Sequence, residues 1–369
     1  MKRIVLFVLV IIMLASCTDV AQDEISNEQN YQNKLANSGI EFLDIEKEIE
    51  LYRKQNQIRL ANSSHLKKGC DSNVRVPFDF PTIQEAVDNV CEGGNVMVSS
   101  GSYTERVFIT KPGIKLKAIG QAELVGGFVI FEEADDVVIQ NFKISVYERY
   151  SGGIIATRAD RLTISQNEIN SNVAYEITGI VLYNSSRSTI HKNKITGTLI
   201  GIQIFGGTNY APEDNIELFS DNNDVSNNTL TGFNIAGIML EGRLKENSLK
   251  NNTITNSWSS FRRSTAGGIL INYWGAYSGT CRDNEIKNNK SVDVEVGIYI
   301  DNNSSGNKIL GNEFLNNNSY GIYVPSSLVS DEPNIFKNNK VHGNSICDIF
   351  DSSNLNIYSN NRAGCVSGI

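Results

Sequence analysis

The chain of 369 residues is short of histidine, tryptophan, proline and positive charge, and each shortage excludes something. Its three histidines, His65, His191 and His342, stand far apart, which leaves no basis for a His-centred catalytic dyad or metal cluster. No two cysteines have Cys-x-x-Cys spacing, so zinc and thiol-redox roles lack a motif. Lys and Arg number 33 against 41 Asp and Glu, a net charge of −8, and nucleic acid is excluded as a partner. Long apolar runs are missing except for Ile4–Leu14, about half of the roughly 20 residues that a membrane-spanning helix needs. What is present is 40% hydrophobic residues with 30 Gly, enough for a large core and against wholesale disorder.

Lys2 and Arg3 precede that apolar run, and Ala15 and Ser16 lead to Cys17, so residues 1–16 read as a secretion signal. Leu14-Ala15-Ser16-Cys17 resembles a bacterial lipobox, which implies that Cys17 carries lipid and begins the mature protein; the alternative is a plain secretory signal with an incidental Cys. Removing residues 1–16 takes away two cations and no acid, leaving −10. Thr18, Asp19 and the Gln22-Asp23-Glu24 cluster are similar to the export signal of Bacteroidetes surface lipoproteins, which implies an outer-membrane lipoprotein facing the periplasm or the exterior. Residues 17–39 are polar and read as a tether. Residues 40–75 read as a helical spacer and lead-in, with Leu43, Ile45, Ile49 and Tyr52 among charged residues, and residues 76–369 as the main domain. Thr82 and Glu85 form a capping box ahead of Ile83, Ala86, Val87 and Val90, so a short helix starts there.

An internal repeat decides the fold. A Gly-Ile pair returns at Gly153-Ile154, Gly179-Ile180, Gly201-Ile202, Gly237-Ile238, Gly268-Ile269, Gly297-Ile298 and Gly321-Ile322, and closes at Asp348-Ile349. Two positions past each Ile stand Ala156, Leu182, Ile204, Leu240, Ile271, Ile300, Val324 and Asp351, so a short strand buries alternate residues at every return. A second column runs in step: Asn167, Asn193, Asn228, Asn252, Asn284, Asn312, Asn339 and Asn361. Three residues before these lie Ile164, Ile190, Val225, Leu249, Cys281, Ile309, Phe336 and Tyr358; two after lie Ile169, Ile195, Leu230, Ile254, Ile286, Phe314, Val341 and Ala363. Each repeat is three short strands and their turns. Such a unit cannot bury its apolar face alone, whereas coils stacked roughly 4.8 Å apart share a continuous interior, which makes a parallel β-helix. The Asn column is structural, because Asn tolerates the left-handed backbone of a tight turn and stacked amides hydrogen-bond from coil to coil.

The repeat resembles those of the pectin-lyase-like superfamily from about Phe78 to the carboxyl terminus. The opening Phe80-Pro81-Thr82-Ile83-Gln84-Glu85-Ala86-Val87, with Val96-Met97-Val98 and Gly101-Ser102-Tyr103-Thr104-Glu105, is similar to the first coil of pectin methylesterase-like members. The resemblance implies an all-β fold: a single-stranded, right-handed parallel β-helix of about 10–11 coils with a short N-terminal capping helix that covers the open edge. Cysteine use fits an oxidising compartment. With Cys17 set aside for lipid, Cys70 and Cys91 bracket the first cap while Cys347 and Cys365 lie in the last coil, so these two bridges are expected. Cys281 is expected to be a free, buried apolar filler.

Enzymes of the superfamily carry their sites on outward residues of the Gly-Ile strand and its turns. Those columns are Ile155, Val181, Gln203, Met239, Leu270, Tyr299 and Tyr323, and then Thr157, Tyr183, Phe205, Glu241, Asn272, Asp301 and Pro325. Glu241 and Asp301 lie two coils apart with Asn272 between, about 10 Å by strand spacing. Leaning side chains would bring the carboxyls within the roughly 6.5–9.5 Å of an inverting glycosidase, one protonating the leaving oxygen and the other activating water. The longest insertions surround this stretch, and they hold Trp258, Arg262, Arg263 and Trp274. Aromatic faces suit sugar rings and the Arg pair suits a uronate carboxylate, so Gln203, Asn272, Tyr299 and these four residues are the candidate substrate contacts.

Signatures of the superfamily's known enzymes are not reproduced. The polygalacturonase pattern falls on Ala236, Glu241, Gly267, Tyr299 and Asp301 without matching, and pectin methylesterase and mannuronan epimerase motifs are missing. Asp301, Asn303, Ser305 and Gly306 match the start of a calcium loop, but position twelve is Asn312 instead of Glu, so calcium has no specific motif and no cofactor is assigned. The expectation is an exported, lipid-anchored monomer that binds or cleaves polysaccharide as a hydrolase or lyase. The alternative is a non-catalytic surface or adhesion module.

Overall fold

The structure, a computed structural model, describes residues 45–62, 69–147, 152–171, 177–207, 219–257, 266–272, 280–301, 304–325, 332–353 and 355–368. Cys17, the tether, Asn303 and the loop residues Trp258, Arg262, Arg263 and Trp274 lie outside them. The chain divides into Met1–Glu48 and Ile49–Ile369, and the β-helix belongs wholly to the second unit.

Every strand pairing is parallel. The Gly-Ile strands, from Gly152–Thr157 to Cys347–Asp351, stack as one face. A second face runs from Val138–Gln140 to Ile357–Ser359, and a third from Lys143–Val146 to Arg362–Ala363. Ile154, Ile180, Ile202, Ile238, Ile269, Ile298 and Ile322 lie in register and are fully buried, each contributing about 1.5–3 kcal/mol of transfer free energy. The preceding Gly is a matter of space. At Gly201 a Cβ would stand 2.3 Å from the Leu230 side chain and 2.5 Å from the Gly237 carbonyl oxygen of the next coil.

The turns hold two long Asn ladders where the sequence pattern suggested one. The first runs Asn167, Asn193, Asn228, Asn252, Asn289, Asn312, Asn339, Asn361, each backbone N–H and side-chain amide donating to the next Oδ1. The second runs Asn223, Asn247, Asn284, Asn307, Asn334, Asn356. Asn284 therefore belongs to the second ladder, and Asn289 takes its place in the first. The slip arises because both ladder Asn residues are followed two positions on by a buried strand residue, Ile286 and Ser291 respectively, so the two turns look alike. Cys281 moves with it. Ile286 fills the column assigned to Cys281, and Cys281 sits in a separate three-stranded stack between Leu244 and Ser304, buried with a free thiol.

The left-handed backbone also falls elsewhere. Gln166, Lys192, Asn227, Asn251, Asn288, Gly311, Asn338 and Asn360, one residue before each ladder Asn, take φ between 54° and 64°. The turn and the amide stack are thus divided between two adjacent residues, one supplying the bend and the other the hydrogen bonds.

Helix α1 (Ile45–Asn62) buries Ile49, Tyr52 and Asn56, and Tyr52 packs against Phe108 of the first coil. Arg53 reaches Glu132 at 2.8 Å, Arg59 pairs with Asp88, and the Arg106 guanidinium lies over the Tyr52 ring. Helix α2 (Ile83–Asn89) plugs the first coil. The Glu105 carboxylate accepts the N–H groups of Ile83 and Gln84 at its start, while the Lys111 ammonium donates to the Val87, Asp88 and Val90 carbonyls at its end. Pairing starts at Asp71, which puts the first strand ahead of residue 76, and disulfides join Cys70 to Cys91 and Cys347 to Cys365.

Candidate functional site

The outward side of the Gly-Ile face is covered. Ile155, Val181, Gln203, Met239, Leu270, Tyr299 and Tyr323 stack in register and every one is buried. Toward the amino terminus this column continues through Val129 to Phe108, where Tyr52 of α1 seals it. Toward the carboxyl terminus Tyr299, Tyr320, Tyr323 and Phe350 form a cluster of rings 4.4–5.7 Å apart.

The structure places Glu241, Asn272 and Asp301 at the strand ends on successive rungs, because Leu240, Ile271 and Ile300 before them are in register. Asn272 ends its strand with φ 57°. The three differ in access. Glu241 and Asn272 expose 0% of their surface, and Asp301 is half-buried. A sugar in the solvent reaches only the last of these. Behind Glu241, the Cys281 thiol donates to the carbonyls of Leu240 and Gly242. Burial, and then the Glu241 charge, hold that thiol well above its ordinary pKa.

An open cleft lies at the corner just beyond these strand ends. Its volume is about 310 Å³, and Phe219, Asp221, Arg243, Leu244, Lys245, Thr280 and Arg282 line it. Lys245 and Arg282 face each other in register on neighbouring parallel strands. Arg243 joins them from the turn after Gly242. The single acid among the described lining residues, Asp221, accepts the Lys245 backbone N–H at 2.8 Å, and burial raises its pKa above the usual carboxylate range. Among the described residues no carboxylate lies within ion-pair distance of Arg243, Lys245 or Arg282. Other rungs of the coil show the opposite arrangement, with Lys194 on Glu168, Lys250 on Glu285 and Arg161 on Asp135 and Asp136. Among the described residues no group of three or more His, Cys, Asp and Glu side chains is placed to hold a metal ion. Asn312 of the calcium-loop match is engaged in the Asn ladder.

Residues 82–218 and 178–363 match the family model described as the right-handed β-helix region. The chain belongs to this family. Solved right-handed β-helices share the fold at low identity. An alginate lyase from Paenibacillus sp. str. FPU-7 is 16% identical with a TM-score of 0.50, over 77% of this chain and 95% of that one. A structure described as rhamnogalacturonan lyase is 12% identical with a TM-score of 0.57, over 79% of this chain and 87% of that one. A variant of the periplasmic alginate epimerase AlgG is 14% identical with a TM-score of 0.50, over 81% and 84%. No curated protein matches the sequence.

In this right-handed β-helix the cleft residues went unseen in the sequence because the second ladder did. Two positions before Asn223, Asn247, Asn284 and Asn307 stand Asp221, Lys245, Arg282 and Ser305, a column that appears once those Asn are aligned.

Proposed function

We propose that this right-handed β-helix is an exported polysaccharide-binding protein that engages its ligand in the corner cleft beside the Gly-Ile face. The cleft carries the proposal: it is open, it offers one aromatic edge in Phe219, and it gathers four charged side chains around a space of sugar size. The fold shared with an alginate lyase and a rhamnogalacturonan lyase supports a saccharide ligand. Two disulfides and the leader before Cys17 support export, with a lipid on Cys17 as the membrane anchor.

Cleavage by Glu241 and Asp301 is the less favoured form of the proposal, since Glu241 has no surface that a glycosidic oxygen or a water could approach. The non-catalytic form is favoured by that burial. The test is retention of the full chain on immobilised neutral and acidic polysaccharides. Retention on at least one supports the proposal, and failure on all of them ends it.

A further inference from the structure

We infer that the corner cleft is an anion site, and that the polysaccharide bound there carries carboxylate or sulfate-ester groups; this rests on the polysaccharide proposal above. The decisive juxtaposition is Lys245 beside Arg282. Like charges directly opposed on neighbouring strands destabilise a sheet, and this pair is in register on adjacent rungs.

On other rungs the coil offsets its cations with acids, even where like charges oppose in register: Lys250 faces Lys287 but pairs with Glu285, and Lys340 faces Arg362 but pairs with Glu313. Lys143 meets Glu123, Lys194 meets Glu168, and Glu313 sits between Lys290 and Lys340. At the corner no carboxylate among the described residues forms such an ion pair. Arg243 adds a third cation to the same cleft, and the one acid among its described lining residues, Asp221, has an oxygen engaged by the Lys245 backbone N–H. Among the described residues three cations face one carboxylate, in a chain whose net charge is −8. A bound anion supplies the missing acid, placing a negative group between Lys245 and Arg282 where the guanidinium fork can donate to two oxygens.

The location is as informative as the charge. Phe219 also lines the cleft, so a sugar ring can rest against an aromatic side chain while its acidic substituent meets the cations. The site is distinct from the outward column of the Gly-Ile face, which is buried.

The experiment measures binding of the full chain to alginate, dextran sulfate and neutral dextran at low and high salt. The parent is compared with the double variant Lys245→Ala/Arg282→Ala, with Arg282→Lys, and with Lys287→Ala, an exposed lysine outside the cleft. Thermal melting monitored by circular dichroism confirms that each variant folds. Loss of two charge-assisted contacts is expected to weaken acidic-polymer binding by about tenfold or more, with Arg282→Lys intermediate and Lys287→Ala unchanged. Preference between alginate and dextran sulfate identifies the anionic group. Acidic-polymer binding that survives the double variant, or dextran binding as tight as alginate binding, overturns the anion site while leaving the polysaccharide proposal standing. Binding to none of the three overturns both.

Discussion

The side-chain amide of Asn356 donates to the Asp351 carboxylate at 2.8 Å, and there the second Asn ladder ends. The ladder has a direction. Each Asn gives its amide hydrogens to the next Oδ1, so its last member is left with donors and no following Asn. A carboxylate, which only accepts, is the group that such an end requires. The Tyr358 hydroxyl and the Ser353 hydroxyl and N–H donate to the same carboxylate. Asp348 does the same for a short ladder of Asn317 and Asn344. The acids that make the last coil look unsuited to burial are its terminators.

Asp351→Ala leaves these donors without their acceptor and is expected to cost about 2 kcal/mol. Asp351→Asn keeps one acceptor oxygen and loses less. Urea unfolding of both variants checks the order. Equal stability of Asp351→Ala and the parent would refute the terminator role.

Position within a ladder sets the cost of breaking it. Asn252 accepts from the N–H and amide of Asn228 and donates to the Val225 carbonyl and to Asn289, all buried. Asn252→Ala is expected to cost about 3 kcal/mol because it strands donors on one coil and acceptors on two. Asn361 has a ladder partner on one side only and is half-buried, so Asn361→Ala is expected to cost about half as much. Urea midpoints of the two variants decide between this graded loss and a uniform one.

The coil itself was legible because its determinants are periodic. A Gly that admits the next coil's carbonyl and an Ile that fills the interior recur from Gly153-Ile154 to Gly321-Ile322, and the register shows them stacked. The second ladder was hidden by its similarity to the first, and Asn284 stood in for Asn289. The candidate site was legible only as a list of outward residues. Alternation along a strand tells which side a residue takes, but not whether that side is open, and Glu241, on the outward side, is fully buried. At the amino-terminal end of that side Tyr52 of α1 meets Phe108, a contact between distant segments that no local pattern announces.

Stability should fall as pH rises through the titration of Glu105. Burial pushes this carboxyl above the ordinary Glu value, more than the two N–H bonds from Ile83 and Gln84 pull it down, and Glu85 and Asp88 add to the rise. The folded state therefore keeps the proton to a higher pH than the unfolded chain does. The contribution is fully present below the unfolded value of 4.5 and is lost as pH rises through the folded value. Glu105→Gln does not titrate. Comparing the urea midpoints of parent and variant from about pH 4 to about pH 7 should show the parent losing ground with rising pH. A constant difference would show that Glu105 is not shifted.

Glu241→Gln separates a buried structural acid from a catalytic one. In the structure Glu241 has no exposed surface, and its charge helps hold the Cys281 thiol in the protonated form. Two outcomes are expected. Native parent resists alkylation at Cys281 until it is unfolded, since a neutral, buried thiol is neither nucleophilic nor reachable. Glu241→Gln binds the cleft's polysaccharide as the parent does, and reducing-end release from that polysaccharide, with or without calcium, is the same for both. Release by the parent that disappears in Glu241→Gln while binding persists would instead make Glu241 the acid of a hydrolase, with Asp301 on the half-exposed rung as its partner. That result would require the outward side of the Gly-Ile face to open before each turnover, and alkylation of Cys281 in the native state, accelerated by substrate, would report the opening.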